Sequence, residues 1–132
     1  MFDVDRFKFV NDSFGHDAGD KVLVEIAETM KRSFRERDVL MRLGGDEYAA
    51  YIPGVFSADA GEQILQRFIH AVHGISIPAL HNYEINISIG AAFYYPTDTF
   101  SFDELYKRAD SCTYESKKVP GSKVTYHKRK DM

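Results

Sequence analysis

The stretch "MRLGGDEYAAYI" at residues 41–52 constrains the fold more than any other part of the sequence. Two glycines stand between two mostly apolar runs, and two carboxylates follow the glycines directly. Gly44 and Gly45 can take a positive φ without a side-chain penalty, as a short connection between antiparallel strands requires. The stretch therefore predicts a β-hairpin, with strands in "DVLMRL" and "EYAAYI" and with Asp46 and Glu47 at its tip.

Hydrophobic periodicity predicts helices and strands that alternate along the rest of the chain. Apolar residues recur at helical spacing over residues 17–34, 58–73 and 102–118. "YEINISIGAAFYY", residues 83–95, alternates strictly and predicts a strand with one face on the core. Further strands are expected at residues 1–4 and, at the sheet edge, in "SKVTYH", whereas Asn11 to Asp20 is expected to be a loop. The fold class is α/β, of the α+β type: a central mixed sheet, containing the hairpin, flanked by helices.

Composition limits the classes of function. The 132 residues suffice for one domain, and a hydrophobic content of 44% excludes a disordered chain. Seventeen Lys+Arg against 20 Asp+Glu give a net charge of −3, which argues against nucleic-acid binding. The single cysteine suits a reducing compartment, and no apolar run could cross a membrane. We therefore expect a cytoplasmic domain without membrane contact, ending in a polar tail at residues 128–132.

Carboxylates from two segments are expected to meet at one edge of the sheet. Asp3 and Asp5 stand two residues apart at the end of the first predicted strand, so they share a face. If that strand pairs with the hairpin, Asp3 converges with Asp46 and Glu47, and three carboxylates suit Mg²⁺. Such a cation polarises a phosphate and lowers the pKa of an attacking hydroxyl. The alternative is a solvated hairpin tip whose acids bind nothing.

Phosphate binding is the expectation for the residues that follow. Phe7 and Lys8 are expected in a turn whose free backbone N–H groups suit a triphosphate, although Lys8 could also be an ordinary solvated lysine. His70 and His73 lie three residues apart on a predicted helix and could share a metal, but solvated surface histidines are the commoner case. Cys112 is expected to be a buried small side chain.

Five motifs, in order, resemble the GGDEF domain of the diguanylate cyclase family. They are "DVDRFKFVNDSFGHDAGD" at 3–20, "RERD" at 35–38, "RLGGDEY" at 42–48, "ISIG" at 87–90 and "RADSCTYESKK" at 108–118. The resemblance implies a nucleotide-cyclase or palm-like fold over residues 1–127. It also implies that two GTP molecules condense to cyclic di-GMP and two pyrophosphates across a homodimer, with Mg²⁺ or Mn²⁺ as cofactor.

The resemblance implies a role for each matching residue. Asp3, Glu47 and the Val4 carbonyl would bind metal, and Asp46 would either bind metal or help to deprotonate the 3′-hydroxyl. The expected substrate-binding residues are Asn11 and Asp20 for guanine, Lys8 and Lys117 for phosphate, and Phe7, Gly44 and Gly45 around the nucleotide. Without the resemblance, Asn11 could be a turn residue and Asp20 could lie in the first turn of the following helix.

Arg35 and Asp38 match the family's Arg-x-x-Asp site, where the product binds and inhibits. Arginine can pair with guanine O6 and N7, and aspartate can accept from the other edge of the base. The alternative is an exposed ion pair at a helix end, which would need no function.

The chain departs from the family pattern at both ends. Members usually read Lys-x-x-Gly-Arg-Asn where this chain reads "KKVPGSK", so the phosphate-binding arginine is absent unless Lys123 substitutes. Members also begin with a helix and a full first strand, whereas this sequence opens at the end of that strand. We therefore expect unpaired backbone groups beside the first strand, and either lower stability or a sheet completed by another chain.

Two functions follow from these observations. The first is a product-inhibited diguanylate cyclase domain, controlled by a fused or upstream sensor domain. The second is a weak or inactive module that binds GTP or cyclic di-GMP and signals to a partner. The presence of Asp3, Asp46 and Glu47 favours the enzyme. The variant "KKVPGSK" and the missing N-terminal helix and strand of the family pattern favour the binding module. A polymerase or adenylate-type cyclase is a distant third.

Overall fold

The computed structural model describes residues 1–95 and 97–127, so the predicted polar tail at 128–132 lies outside the described residues. The elements follow in the order β1 (Phe2–Val4), α1 (Phe7–Phe14), α2 (His16–Ser33), β2 (Val39–Gly44), β3 (Glu47–Tyr51), α3 (Ala58–His73), a short 3₁₀ turn (Pro78–Leu80), β4 (Ile87–Ala92), α4 (Phe102–Lys117) and β5 (Lys123–His127). No helix within these residues has the length and apolar character needed to cross a membrane.

The sheet is mixed and contains five strands in the order β2-β3-β1-β4-β5. Strand β1 pairs antiparallel with β3 and with β4, and only β4 and β5 run parallel. The structure confirms the predicted hairpin, the position of the first strand beside it and the edge position of β5. The shortest strand therefore lies at the centre of the sheet.

One face of the sheet packs on the main hydrophobic core. Phe2 stacks on Tyr48 with ring centroids 5.2 Å apart, and it also contacts Phe68 of α3. Ile87 and Ile89 of β4 are buried on the same face as Phe2, because Phe2 and Ile89 are register partners. The remaining buried side chains of this core come from α1, α2 and α3, among them Val10, Val22, Ile26, Met30, Ile69 and Val72.

Helix α4 covers the opposite face of the sheet. A Cβ atom on Gly90 would lie 2.1 Å from the carbonyl oxygen of Ala109 and 2.3 Å from the backbone nitrogen of Thr113, so only glycine allows this approach. The Ser116 hydroxyl donates a 2.7 Å hydrogen bond to the Ile89 carbonyl. This contact places the end of α4, including Lys117, beside the centre of the sheet.

Two predictions of secondary structure are wrong. Residues 11–20 form parts of α1 and α2, interrupted only at Gly15, rather than a loop. The second glycine, Gly19, is a packing residue: a Cβ there would lie 1.8 Å from Asn11 Oδ1. The strand expected over residues 83–95 is shorter, and both its faces are covered, because Ser88 and Gly90 are buried against α4 while the isoleucines face the core.

A groove separates β3 and β4 beyond the first residue of β1. Strand β1 pairs with β3 only at Tyr48 and Glu47, whereas β3 continues to Tyr51 and β4 continues to Ala92. The groove has a volume of about 340 Å³ and mostly apolar walls. Residues of β3 beyond Tyr48 therefore have no register partner in β1, and the expected unpaired backbone groups and lower stability stay predictions.

Candidate active site

Asp3 occupies the centre of the candidate site. It lies in β1 directly opposite Glu47 of β3, and only 4% of it is exposed. Its Oδ2 atom lies 2.5 Å from the Lys117 ammonium nitrogen. Its Oδ1 atom is buried and has no hydrogen-bond partner within residues 1–95 and 97–127. A buried polar atom without a partner costs about 1–3 kcal/mol, so this oxygen is suited to a donor or cation supplied by a ligand.

The positive charge of the Lys117 ammonium acts on both Asp3 and Asp5. Its hydrogen bond to Asp3 is the main reason that the pKa of Lys117 is raised, and the charges of Asp3, Asp46 and Glu47 add to this. The pKa of Asp3 is also raised, because burial disfavours its ionised form more than Lys117 favours it. Asp5 behaves similarly: burial raises its pKa, although Ser88 donates a hydrogen bond to it. Burial therefore disfavours the ionised forms of Asp3 and Asp5 more than the neighbouring donors favour them.

The hairpin tip is open on its outer side. Gly44 and Gly45 have φ values of 151° and 49°, and no atom of another described residue beyond the chain neighbours lies within 4 Å of a Cβ built on either glycine. The Arg42 guanidinium donates two hydrogen bonds to the Gly45 carbonyl, at 3.0 and 2.7 Å, and so stabilises the turn. The Val4 N–H donates to the Asp46 carbonyl at 3.4 Å, which joins β1 to the tip. Another molecule can therefore approach this backbone closely.

The predicted metal ligands are neighbours, but they do not form a ready-made metal cage. Asp3 and Glu47 are cross-strand partners, as predicted, and the Asp46 charge acts on Asp3. Within the part of the chain that the structure describes, no group of three His, Cys, Asp or Glu side chains is close enough to hold a metal ion. Lys117 is paired with Asp3 instead. The ligand roles of these acids and of Val4 therefore stay predictions.

Phe7 and Lys8 begin α1, so the predicted turn is the first turn of a helix. The preceding residue, Arg6, has a left-handed backbone with φ of 54° and makes no side-chain capping hydrogen bond. The first backbone N–H groups of α1 are therefore free of a side-chain cap. Free N–H groups at a helix start suit an anion.

Asn11 and Asp20 are brought to one corner between α1 and α2. The Asn11 side chain packs against Gly19, the neighbour of Asp20. Asp20 is exposed at the rim of a cleft of about 390 Å³ between α2 and β2, which Leu23, Tyr48 and other side chains line. Asp20 lies past the first turn of α2. Within the described residues neither side chain makes a hydrogen bond, so the guanine-binding roles stay predictions that this placement allows.

Arg35 and Asp38 form a closed ion pair between α2 and β2. The Arg35 backbone N–H donates to Asp38 Oδ2 at 2.7 Å, and Arg35 Nη2 donates to Asp38 Oδ1 at 2.9 Å. The same Nη2 donates to the Pro53 carbonyl at 2.5 Å. Only 1% of the Asp38 side chain is exposed, against 33% of the Arg35 side chain. The pair is therefore less exposed than the alternative interpretation expected, and the product-binding role stays a prediction.

His73 makes contacts near this site that no local sequence pattern predicts. The structure places its Nε2 atom 2.8 Å from Ser122 Oγ and 3.2 Å from Asn86 Oδ1. These partners lie 49 and 13 residues away along the chain, so hydrophobic periodicity and motif spacing carry no signal for them. His73 is a surface residue, as expected, and it also makes these side-chain contacts.

The sequence model of one protein family, described as "Diguanylate cyclase, GGDEF domain", matches residues 1–123. The chain belongs to the GGDEF family. This GGDEF domain is 40% identical over 120 residues to the bifunctional diguanylate cyclase/cyclic di-GMP phosphodiesterase MucR of Pseudomonas aeruginosa, covering 89% of this chain and 17% of that protein. It is 38% identical over 130 residues to diguanylate cyclase A of Treponema denticola, covering 97% of this chain and 34% of that protein.

The fold of this GGDEF domain agrees with that of solved relatives. The GGDEF domain of DgcB from Caulobacter crescentus, in complex with c-di-GMP, superposes with a TM-score of 0.81 at 28% identity. The match covers 95% of this chain and 74% of that one. The chain spans between 17% and 38% of the length of the curated relatives that it matches. The predicted family and the palm-like α+β fold are confirmed.

Proposed function

We propose that this GGDEF domain is the catalytic domain of a diguanylate cyclase, which condenses two GTP molecules to cyclic di-GMP and two pyrophosphates. The observation that carries the proposal is the buried Asp3 Oδ1 atom, which has no hydrogen-bond partner among the described residues. Asp3 lies in β1 opposite Glu47, close to the exposed Gly44–Gly45 turn of the hairpin. A buried oxygen without a hydrogen-bond partner lowers the stability of the fold, whereas the same oxygen can bind a metal ion that accompanies a nucleotide.

Asp3, Glu47, Asp46 and the Val4 carbonyl are the groups that would hold Mg²⁺ or Mn²⁺. Hard oxygen donors of this kind suit either ion, and burial raises the pKa values of Asp3 and Asp5 because it disfavours their ionised forms. When bound, the metal polarises the α-phosphate and lowers the pKa of the attacking 3′-hydroxyl. Asp46, at the open tip, either completes the ligand set or accepts the proton of that hydroxyl.

The cationic and N–H groups of the site bind the triphosphate. Lys117 is half exposed, with 49% of its side chain accessible, so its ammonium group can also contact a phosphate oxygen. Lys8 and the free N–H groups at Phe7 lie at the start of α1, directly after β1. Asn11 and Asp20 hydrogen-bond the guanine edge. One domain holds one GTP, so a homodimer brings the second nucleotide to the first.

Product inhibition operates through Arg35 and Asp38. Because the Asp38 carboxylate already accepts hydrogen bonds from Arg35, cyclic di-GMP has to open this ion pair before it can use both groups. Breaking a well-ordered, partly buried pair offsets some of the binding free energy. Inhibition is therefore expected at higher product concentrations than an open site would give.

The test is a direct assay for product. The domain is fused to an N-terminal coiled coil that enforces dimerisation, supplied with GTP and Mg²⁺ or Mn²⁺, and analysed for cyclic di-GMP by mass spectrometry. Product that disappears with Asp46→Ala, and that persists in the exposed-surface control His70→Leu, supports the cyclase. If a folded dimer yields no product but binds cyclic di-GMP saturably, the domain is a binding module and the proposal is wrong.

A further inference from the structure

Three polar side chains from three separate parts of the fold form one hydrogen-bonded cluster beside the candidate active site. They are His73 at the end of α3, Asn86 just before β4, and Ser122 in the α4–β5 loop, defined here as residues 118–122. His73 Nε2 lies 2.8 Å from Ser122 Oγ, and Ser122 Oγ lies 3.1 Å from Asn86 Oδ1. The Ile87 backbone N–H donates to the same Ser122 Oγ at 3.1 Å.

The other hydrogen bonds of Ser122 determine the direction of its hydrogen bond with His73. A hydroxyl has one proton and two lone pairs. Ser122 Oγ donates its proton to Asn86 Oδ1 and accepts from the Ile87 N–H, so its remaining lone pair accepts from His73 Nε2. Glu84 Oε1 lies 3.6 Å from the same Nε2 atom. The cluster therefore needs a hydrogen-bond donor at this position.

The cluster connects the α4–β5 loop to the carboxylate strand. The Asn86 carbonyl accepts a 2.8 Å hydrogen bond from the Asp5 N–H, just past β1. The loop itself joins Lys117, the last residue of α4, to Lys123, the first residue of β5. Ser122 is the side chain by which His73 holds this loop. The Ser122 anchor therefore stands directly before Lys123, and it adds to the Ser116 contact that holds the end of α4 at Lys117.

We propose that His73 is a positioning residue for triphosphate binding: it anchors the α4–β5 loop through Ser122 and so fixes Lys117 and Lys123. The inference rests on the proposed function. The α4–β5 loop contains no arginine, so phosphate binding depends on Lys117 and Lys123, whose side chains are flexible and carry a point charge. Anchoring the loop reduces the conformational freedom that those lysines lose when the nucleotide binds.

The test compares two nucleotides that share guanine and differ in phosphate number. Calorimetric titration with 3′-deoxy-GTP, which cannot condense, and with GMP is carried out in the presence of Mg²⁺ on five proteins. They are the unaltered chain, His73→Leu, His73→Gln, which keeps a donor near the Nε2 position, Ser122→Ala, a milder second variant, and His70→Leu, a matched change at an exposed histidine on the same helix. Thermal unfolding of each protein shows whether it folds.

His73→Leu is expected to weaken 3′-deoxy-GTP binding roughly tenfold, as the loss of one or two hydrogen bonds predicts, and to leave GMP binding unchanged. His73→Gln should restore affinity to within about threefold, and His70→Leu should have no effect. Equal weakening for both nucleotides, or unchanged 3′-deoxy-GTP binding in His73→Leu and Ser122→Ala, overturns the inference alone. An unaltered chain that binds 3′-deoxy-GTP no better than GMP overturns the triphosphate assignment and this inference together.

Discussion

Replacing Asp3 by asparagine is predicted to stabilise the protein when no metal is present. The folded state buries the Asp3 carboxylate and leaves its Oδ1 atom without a hydrogen-bond partner among the described residues. An asparagine side chain at this position would have nearly the same shape without the charge, so its burial costs less free energy. The change removes a metal ligand of the proposed site, so a gain in stability would be accompanied by a loss of function.

The structure gives the size of this effect. The unpaired charged oxygen costs about 1–3 kcal/mol, and a neutral amide atom at the same place keeps only a smaller part of that cost. Asp3→Asn also loses the ion pair with Lys117, and because half of that lysine side chain is exposed, the pair contributes about 0–1 kcal/mol. The net gain in the free energy of unfolding is therefore about 1 kcal/mol. For 132 residues this corresponds to a rise of about 4 °C in Tm, measured by circular dichroism in EDTA.

The pH dependence follows from the direction of the pKa shift. The pKa of Asp3 in the folded state lies above its usual value of 3.8, so the folded state takes up this proton first as the pH falls. The penalty on the unaltered protein is complete above the folded pKa and is relieved between that pKa and 3.8. The stability difference between Asp3→Asn and the unaltered protein should therefore shrink as the pH falls through this window.

Ligand binding should reverse the order of stability. A ligand at about 100 times its Kd adds about 2.7 kcal/mol to the protein that binds it. Mg²⁺ with 3′-deoxy-GTP should therefore raise the Tm of the unaltered protein above that of Asp3→Asn. Asp38→Asn is the matched control, since Asp38 is also buried but accepts several hydrogen bonds from Arg35, and it should lower the Tm. A lower Tm for Asp3→Asn in EDTA would refute the reasoning.

Three further predictions concern other parts of the domain. Lys117→Met should weaken 3′-deoxy-GTP binding by at least about tenfold in a calorimetric titration, because it removes an ammonium group that binds the triphosphate. GMP binding should change little. Arg35→Ala should abolish inhibition by added cyclic di-GMP in the product assay, and should destabilise the domain by about 1–3 kcal/mol in urea because Asp38 stays buried without its partner. Unchanged inhibition would exclude the Arg35 site. Gly90→Ala should cost about 1–3 kcal/mol or more in urea, because the new Cβ meets the Ala109 carbonyl, and should also lower product formation by displacing α4.

The hairpin and the helices α2, α3 and α4 could be predicted from the sequence because their signals are local, whereas the sequence predicts a turn and a loop in place of α1. A glycine pair between apolar runs fixes the turn, and α3 begins and ends where the helical repeat of apolar residues does, at Ala58 and His73. The start of α3 is also local, since the Ser57 hydroxyl accepts from the Ala60 N–H. Such signals need only neighbours within about four residues, which the sequence displays directly.

The errors concern residues whose roles depend on distant partners. Gly15 and Gly19 look alike in the sequence, but Gly15 takes a positive φ between two helices, whereas Gly19 makes room for Asn11 of another helix. Composition alone cannot separate these two uses of glycine. The contacts of His73 escape prediction for the same reason, because its value as a donor depends on Ser122, 49 residues away. The pairing of Asp3 with Lys117 spans nearly the whole chain and carries no sequence signal at all.

The central position of β1 has a consequence for how the domain folds. Phe2 to Val4 have register partners at Glu47–Tyr48 on one side and at Ile87–Ile89 on the other, and Asp3 finds its counter-ion at Lys117. Contacts this distant in sequence close long loops, so they form slowly and late. During synthesis, the Asp3 carboxylate has to wait until α4 has left the ribosome before it is enclosed. The candidate site is thus completed only after α4 has formed, and a fragment that ends before α4 lacks the Lys117 partner of Asp3.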